Sequence, residues 1–145
     1  MKGMSEIVKK IAQLMGGLIF VYGMYIITHG HLTPGGGFAG GALVAGAFIL
    51  LILANGSDYV KLKQQEKGSS VFESTAILMA LIMAVIGLFA GSLWFFNNYL
   101  PAGVAGNLIS AGVIPLYNIF IGMEVAAALI TIFLALVIYK EEITK

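Results

Sequence analysis

The sequence predicts an all-α membrane protein of four transmembrane helices with both termini on the cytoplasmic side. Three observations predict it. Of the 145 residues, 59% are hydrophobic and 10% charged, against roughly a quarter charged in a soluble domain. The apolar residues gather into four runs, Lys10 to Thr28, Phe38 to Asn55, Phe72 to Phe96 and Pro115 to Tyr139. Each is long enough to cross a hydrocarbon core of about 30 Å as a helix. All eight basic residues are lysines, and they fall where four crossings need them. Lys2, Lys9 and Lys10 precede the first run, Lys61, Lys63 and Lys67 separate the second from the third, and Lys140 and Lys145 follow the fourth. Cytoplasmic flanks carry the excess of positive charge, so every lysine points to the same orientation in the cell membrane, and residues 1–145 read as a single transmembrane domain.

The first run resembles a secretory signal in position, but its apolar core is too long and lacks a small-x-small cleavage site, so it reads as a retained helix. The connection after it, His29-Gly30-His31-Leu32-Thr33-Pro34-Gly35-Gly36-Gly37-Phe38-Ala39-Gly40-Gly41, is the densest feature of the chain. It contains G-x-G-x-x-G at Gly35, Gly37 and Gly40. Between two membrane spans there is no βαβ unit to make that spacing a dinucleotide site, and no lysine stands in the phosphate-loop position. The residues serve structure instead. Thr33 suits a helix cap and Pro34 a first helical turn. Gly36 with Gly40, and Gly37 with Gly41, give overlapping G-x-x-x-G spacings that continue through Ala45 as a flat face for a second helix, within the chain or in another subunit.

The link between the second and third runs, Gly56 to Ser70, is polar and charged and reads as a solvated loop. It ends in Ser70-Val71-Phe72-Glu73, the spacing of a capping box, so Glu73 reads as a helix start. The link from Asn97 to Ile114 is uncharged, holds Pro101 and three glycines, and is apolar enough to rest on the membrane surface or a neighbouring subunit.

Glu124 lies nine positions beyond Pro115, which at about 1.5 Å per residue places it near the middle of the hydrocarbon core. A central acidic residue costs roughly 2.5 to 3.5 kcal/mol on insertion, so it must be protonated, paired or facing water inside an assembly. Tyr117 and Ile121 share its face by helical spacing, and Asn118 stands less than two turns earlier. No lysine lies at that depth, so a cationic partner comes from another subunit or from a transported ion. Three readings stand side by side: Glu124 lines a proton or sodium pathway, pairs across a subunit interface, or is a protonated bystander. His29 and His31, at the non-cytoplasmic end of the first run, carry imidazoles that suit either local hydrogen bonding or proton exchange.

Several functions are excluded. A net charge of +1 leaves no basic field for nucleic acid. The absence of cysteine removes disulfides, thiol redox chemistry and iron–sulfur ligation, and two histidines alone make a poor metal site. No catalytic set emerges, so the sequence gives no cofactor and no enzyme acting by itself.

The stretch from Pro34 to Gly41, with His31 before it, resembles the hallmark of the MnhB/MrpB family, a histidine followed within a few residues by Pro-Gly-Gly-Gly-Phe-x-Gly-Gly after a first membrane helix. The resemblance covers essentially the whole chain. It implies a non-redox subunit of a multisubunit Na⁺/H⁺ antiporter, or of the antiporter-like module in a membrane-bound hydrogenase or related respiratory complex. Its partners would be other membrane subunits, the lipid bilayer, and sodium ions or protons. It also implies an acidic residue near the start of the last helix, where this chain has Asn118 while Glu124 lies further in. That departure favours the hydrogenase-linked setting over a stand-alone antiporter. Readings from other classes are a purely structural assembly subunit and a homo-oligomeric ion carrier.

Overall fold

A computed structural model describes residues 4–56, 62–90 and 94–143. The described residues form four helices, α1 (Glu6–Thr28), α2 (Gly36–Asn55), α3 (Leu62–Phe89) and α4 (Ile114–Ile143). All four are long and apolar enough to cross a membrane. Most large apolar side chains point outward, as at Leu14, Val21 and Leu136. In lipid that orientation carries no hydrophobic penalty, and close packing has to hold the helices together instead.

α1 and α2 form an antiparallel hairpin whose open end is closed by Met4 N–H donating to Ala54 O at 2.9 Å. Glycine decides the approach. A Cβ on Gly40 would lie 2.5 Å from Ile27 Cγ1 and 2.8 Å from Gly23 O, and one on Gly23 would lie 3.0 Å from Gly40 O. The other side of α2 meets α4 in the same way. A Cβ on Gly41 would lie 2.6 Å from Gly122 O, and one on Gly37 would run into Asn118 O. The glycines therefore form two strips rather than one flat face: Gly40 turns to α1, while Gly37 and Gly41 turn to α4. Val44 joins Ile27 and Ala126 in one apolar cluster, and Ile52 packs on Leu134 in another.

The packing order departs from the chain order. α3 docks on α4 rather than on its sequence neighbour α2, with Ser69 Oγ donating to Ala127 O at 2.9 Å. At the far end Tyr99 OH donates to Met83 Sδ at 3.2 Å, and Val113 N–H donates to Asn98 Oδ1 at 3.0 Å. The two helices run antiparallel. Between α3 and the α1–α2 hairpin lies an apolar cleft of about 630 Å³, rimmed by Phe20, Phe48 and Phe72 and floored by Gly122 and Ala126.

Several local expectations are corrected. α3 begins at Leu62, so Ser70 and Glu73 lie inside the helix and form no capping box. Ser70 instead accepts through its backbone oxygen from Ser74 Oγ at 3.0 Å. The described part of the Gly56 to Ser70 link is helical from Leu62 onward, because Lys, Gln and Glu are good helix formers even where hydropathy is low. The helix ends at Phe89 rather than Phe96, and the chain folds back so that Asn97 lies against Gly87. Thr33 does not cap α2: its hydroxyl donates back to His29 O at 3.1 Å. The residue before α2 is Gly35, and Pro34 precedes the helix instead of opening it. Gly35 and Gly36 carry φ of 136° and 67°, the left-handed region that favours glycine.

The two strips make different demands on different glycines. Gly41→Ala should cost about 1–3 kcal/mol through forced separation of α2 and α4, whereas Gly46, with nothing within 4 Å of its added Cβ, should accept alanine without loss. Thermal unfolding of the detergent-purified assembly reads both, and equal midpoints would overturn this account of the α2–α4 contact.

Candidate functional site

The site is built where the α1–α2 turn meets the first turns of α4. α1 is closed by its own side chains: Thr28 Oγ1 donates to Met24 O or Tyr25 O at about 3 Å, and His29 N–H donates to Tyr25 O at 3.0 Å. His29 stacks on Tyr25 with centroids 4.1 Å apart, and its Nδ1 lies 3.1 Å from both Thr28 Oγ1 and Tyr25 O. His29 is thereby tied into the end of α1. Its carbonyl then receives Leu32 N–H and Thr33 N–H at 2.8 and 2.9 Å, which turns the chain toward α2.

Asn118 sits where that turn rests on α4. A Cβ on Gly30 would lie 2.9 Å from Asn118 Nδ2 and 2.5 Å from Gly36 Cα, and one on Gly36 would lie 3.5 Å from Asn118 Oδ1. Gly30 has to be glycine for the turn to come this close to the amide, and at Gly36 it is the φ of 67° that favours glycine. His31 follows Gly30, and both its ring nitrogens are buried without a hydrogen-bond partner. Tyr117, beside Asn118, packs its ring on Phe96 at 5.4 Å and buries its hydroxyl, also without a partner.

Glu124 is half-buried and stands ten residues into α4. Asn118, Gly122, Val125 and Ala126 supply the side of α4 that meets α2, and Ala127 supplies a contact with α3. Glu124 lies on the strip of Tyr117 and Ile121, spaced by seven and three residues, and Ile121 also meets α2, its Cβ 3.0 Å from the position of a Cβ on Gly37. The structure therefore brings His31, Asn118 and Tyr117 to one end, and sets Glu124 about 10 Å deeper along the helix axis. Among the described residues, no three metal-ligating side chains gather.

Sequence reading passed over one residue here. Glu73 lies four residues past Ser69 and Glu124 three before Ala127, and the bond between Ser69 and Ala127 fixes the register of the antiparallel pair. The two half-buried carboxylates consequently stand at the same level of α3 and α4. The available signal was the absence of any other charged residue between Lys67 and Lys140.

A family described as a domain related to the MnhB subunit of Na⁺/H⁺ antiporters matches residues 7–131. The chain belongs to the MnhB family. Among relatives, an uncharacterized protein of Methanocaldococcus jannaschii is 38% identical over 134 residues, covering 88% of this chain and 50% of its own. A putative antiporter subunit, mnhB2 of Staphylococcus aureus (strain Newman), is 28% identical over 138 residues, covering 94% of this chain and 96% of its own. Among solved structures, a chain of a membrane-bound sulfane sulfur reductase, an archaeal respiratory membrane complex, matches with a TM-score of 0.73 and 35% identity, over 89% of this chain and 56% of that one. The chain thus spans about half the length of two of these relatives. Four apolar helices and the likeness to a chain of a membrane complex make it a membrane-embedded, multi-pass protein of this family.

The tight seat of Asn118 gives a direct test. Asn118→Leu replaces the amide between Gly30 and Gly36 with a branched apolar group and should destabilise by roughly 1–3 kcal/mol, while Ile132→Leu, at an outward position of α4, should stay within about 0.5 kcal/mol of the parent. The unfolding midpoint of the purified assembly measures the difference.

Proposed function

We propose that this MnhB-family chain is a non-redox membrane subunit of a sodium/proton translocation module, working inside a membrane-bound hydrogenase or related respiratory complex. The observation that carries the reading is Glu124, a half-buried carboxylate ten residues into a membrane-spanning helix, in a chain with no basic residue between Lys67 and Lys140. A group so placed is protonated, paired or facing water inside an assembly, and the second and third conditions are those of an ion path or a subunit interface. In this reading Glu124 lies on the ion path or at a subunit interface beside it, Tyr117 and Asn118 stand toward the entry, and His29 and His31 mark the end of α1 where the path reaches the surface. The glycines Gly35, Gly36, Gly37, Gly40 and Gly41, with Pro34, hold the helices that frame it. The subunit performs no chemistry alone, and electrons are handled by other chains. Both termini lie in the cytoplasm, on the strength of the lysine pattern.

The respiratory setting is supported by the 35% identity to a chain of an archaeal respiratory membrane complex. A second reading, as a subunit of a stand-alone Na⁺/H⁺ antiporter, is supported by the match along 96% of the Staphylococcus antiporter subunit. Purifying the chain from its native host through a C-terminal tag and identifying what accompanies it at constant ratio separates the two. Metal-cofactor subunits support the first and antiporter-like subunits alone the second. Recovery of this chain by itself overturns both.

Glu124→Gln tests the role of the carboxylate. The expected outcome is a fall of roughly tenfold or more in ion translocation per assembled complex, with assembly unchanged. A fall in complex yield with full transport per assembled complex would instead assign Glu124 to pairing at an interface.

A further inference from the structure

α3 is staggered against the rest of the bundle. Ser69 Oγ donates to Ala127 O at 2.9 Å, and Ala126, the residue before, packs with Val44, the ninth of the twenty residues of α2. The polar first turns of α3 therefore reach the middle of the neighbouring span. Lipid-facing surface continues well past that level toward the end of α4. Ile132 and Leu136, 57% and 64% exposed, lie five and nine residues beyond Ala127, so apolar surface extends about 13 Å further along the helix axis.

The residues from Glu66 to Thr75 point in two directions. Glu66, Ser69 and Glu73 are half-buried and, at intervals of three and four, share the side of α3 that carries the fully buried Ala76 and Ala84 against α4. Lys67, Ser70 and Ser74, spaced in the same way, form a separate side and are all exposed. Lys67 has no hydrogen bond or ion pair among the described residues, and the Ser74 hydroxyl donates back to Ser70 O. Farther along, the same side continues in Ile77, Leu78 and Leu81, each about half exposed.

An ammonium at this level meets hydrocarbon unless something covers it. Lys67 stands two residues before Ser69, which leaves about 10 Å of apolar helix between it and the level of Leu136, farther than its four-carbon stem can snorkel. A charged residue at such a depth pairs with another charge or lines water. This side lies on the outer surface of the bundle, so the cover comes from another molecule. Lysine brings donors alone, so that molecule has to accept. A lipid phosphate stays at the bilayer surface, and a protein backbone that enters hydrocarbon satisfies its own polar groups by being helical.

We propose that this side of α3 is a subunit interface, and that its occupant is a membrane-spanning helix of a different subunit. That helix carries an Asp or Glu against Lys67, small or hydroxyl-bearing residues against Ser70 and Ser74, and apolar residues toward Leu78 and Leu81. The surface follows from the stagger of α3 in the membrane and stands apart from the role proposed for Glu124.

To test it, p-benzoylphenylalanine is placed at position 70 or 74 and photoactivated in the intact complex in native membranes, and the adducts are mapped by mass spectrometry. The expected product joins this chain to a membrane-spanning segment of a different subunit, with an Asp or Glu within one helical turn of the linked residue. Adducts with lipid alone, with a second copy of this chain or with a segment that lacks a carboxylate overturn the proposal, and so does the absence of any adduct.

Lys67→Arg and Lys67→Glu supply the second measurement, read as the yield of complex recovered through a C-terminal tag. Arginine keeps the charge and should leave the yield normal, whereas glutamate sets like charges together and should lower it about tenfold or more. Normal yield with glutamate overturns the proposal, as does an equal loss with arginine, which would mean that shape rather than charge is being read. Transport per assembled complex in Glu124→Gln is scored separately, so either idea can fail alone.

Discussion

Backbone-to-backbone approach of α2 to both its neighbours is the contact on which the rest of the molecule depends. In lipid, helices gain nothing by hiding apolar side chains from water, so association draws on van der Waals contact at short range. Gly40 lets α1 come close and Gly41 lets α4 come close, with added Cβ atoms meeting neighbours at 2.5 and 2.6 Å. α2 is therefore the shared wall of two interfaces. The turn that precedes it inherits its position from both, which is how Gly30 and Gly36 come to rest on Asn118. The polar end of the molecule is a consequence of how the glycines pack.

The four spans were legible because a bilayer imposes one simple rule, apolar length, and the sequence obeys it without interruption. The glycine spacing was legible for a related reason, since small residues at helical intervals have few uses in lipid other than close packing. What hydropathy could not show was the helix that continues outside the apolar stretch. The polar residues before Phe72 look like a loop by composition, yet α3 already runs from Leu62. The same blindness turned Ser70 and Glu73 into an apparent cap. The division of the glycines between two partners was hidden as well, because spacing places residues on a helix face without saying how many helices that face will meet.

Glu124 was conspicuous by depth alone, whereas Glu73 became visible only through tertiary register. A carboxylate near the end of an apolar run is ordinary. One at the level of another carboxylate on an antiparallel neighbour is a different object, and that relation depends on Ser69 meeting Ala127. The sites that sequence finds poorly are thus the ones assembled from two helices, each unremarkable by itself. Membership of the MnhB family sets the chain beside antiporter subunits, and the pairing of α3 with α4 sets two carboxylates at one level of the bundle.

The packing order has a consequence for synthesis. α1 and α2 are neighbours in the chain and can pair as soon as both have entered the bilayer. α3 cannot settle in the same way, because its contact at Ser69 waits for Ala127, 58 residues later. At translation speeds of about 5–20 residues per second, that interval lasts roughly 3–12 seconds. During it the nascent chain presents the apolar length of α3, with Glu73 in it, to the insertion machinery and to lipid without its final neighbour. The finished bundle keeps the same asymmetry, since α3 has α4 as its close neighbour and the apolar cleft on its other side.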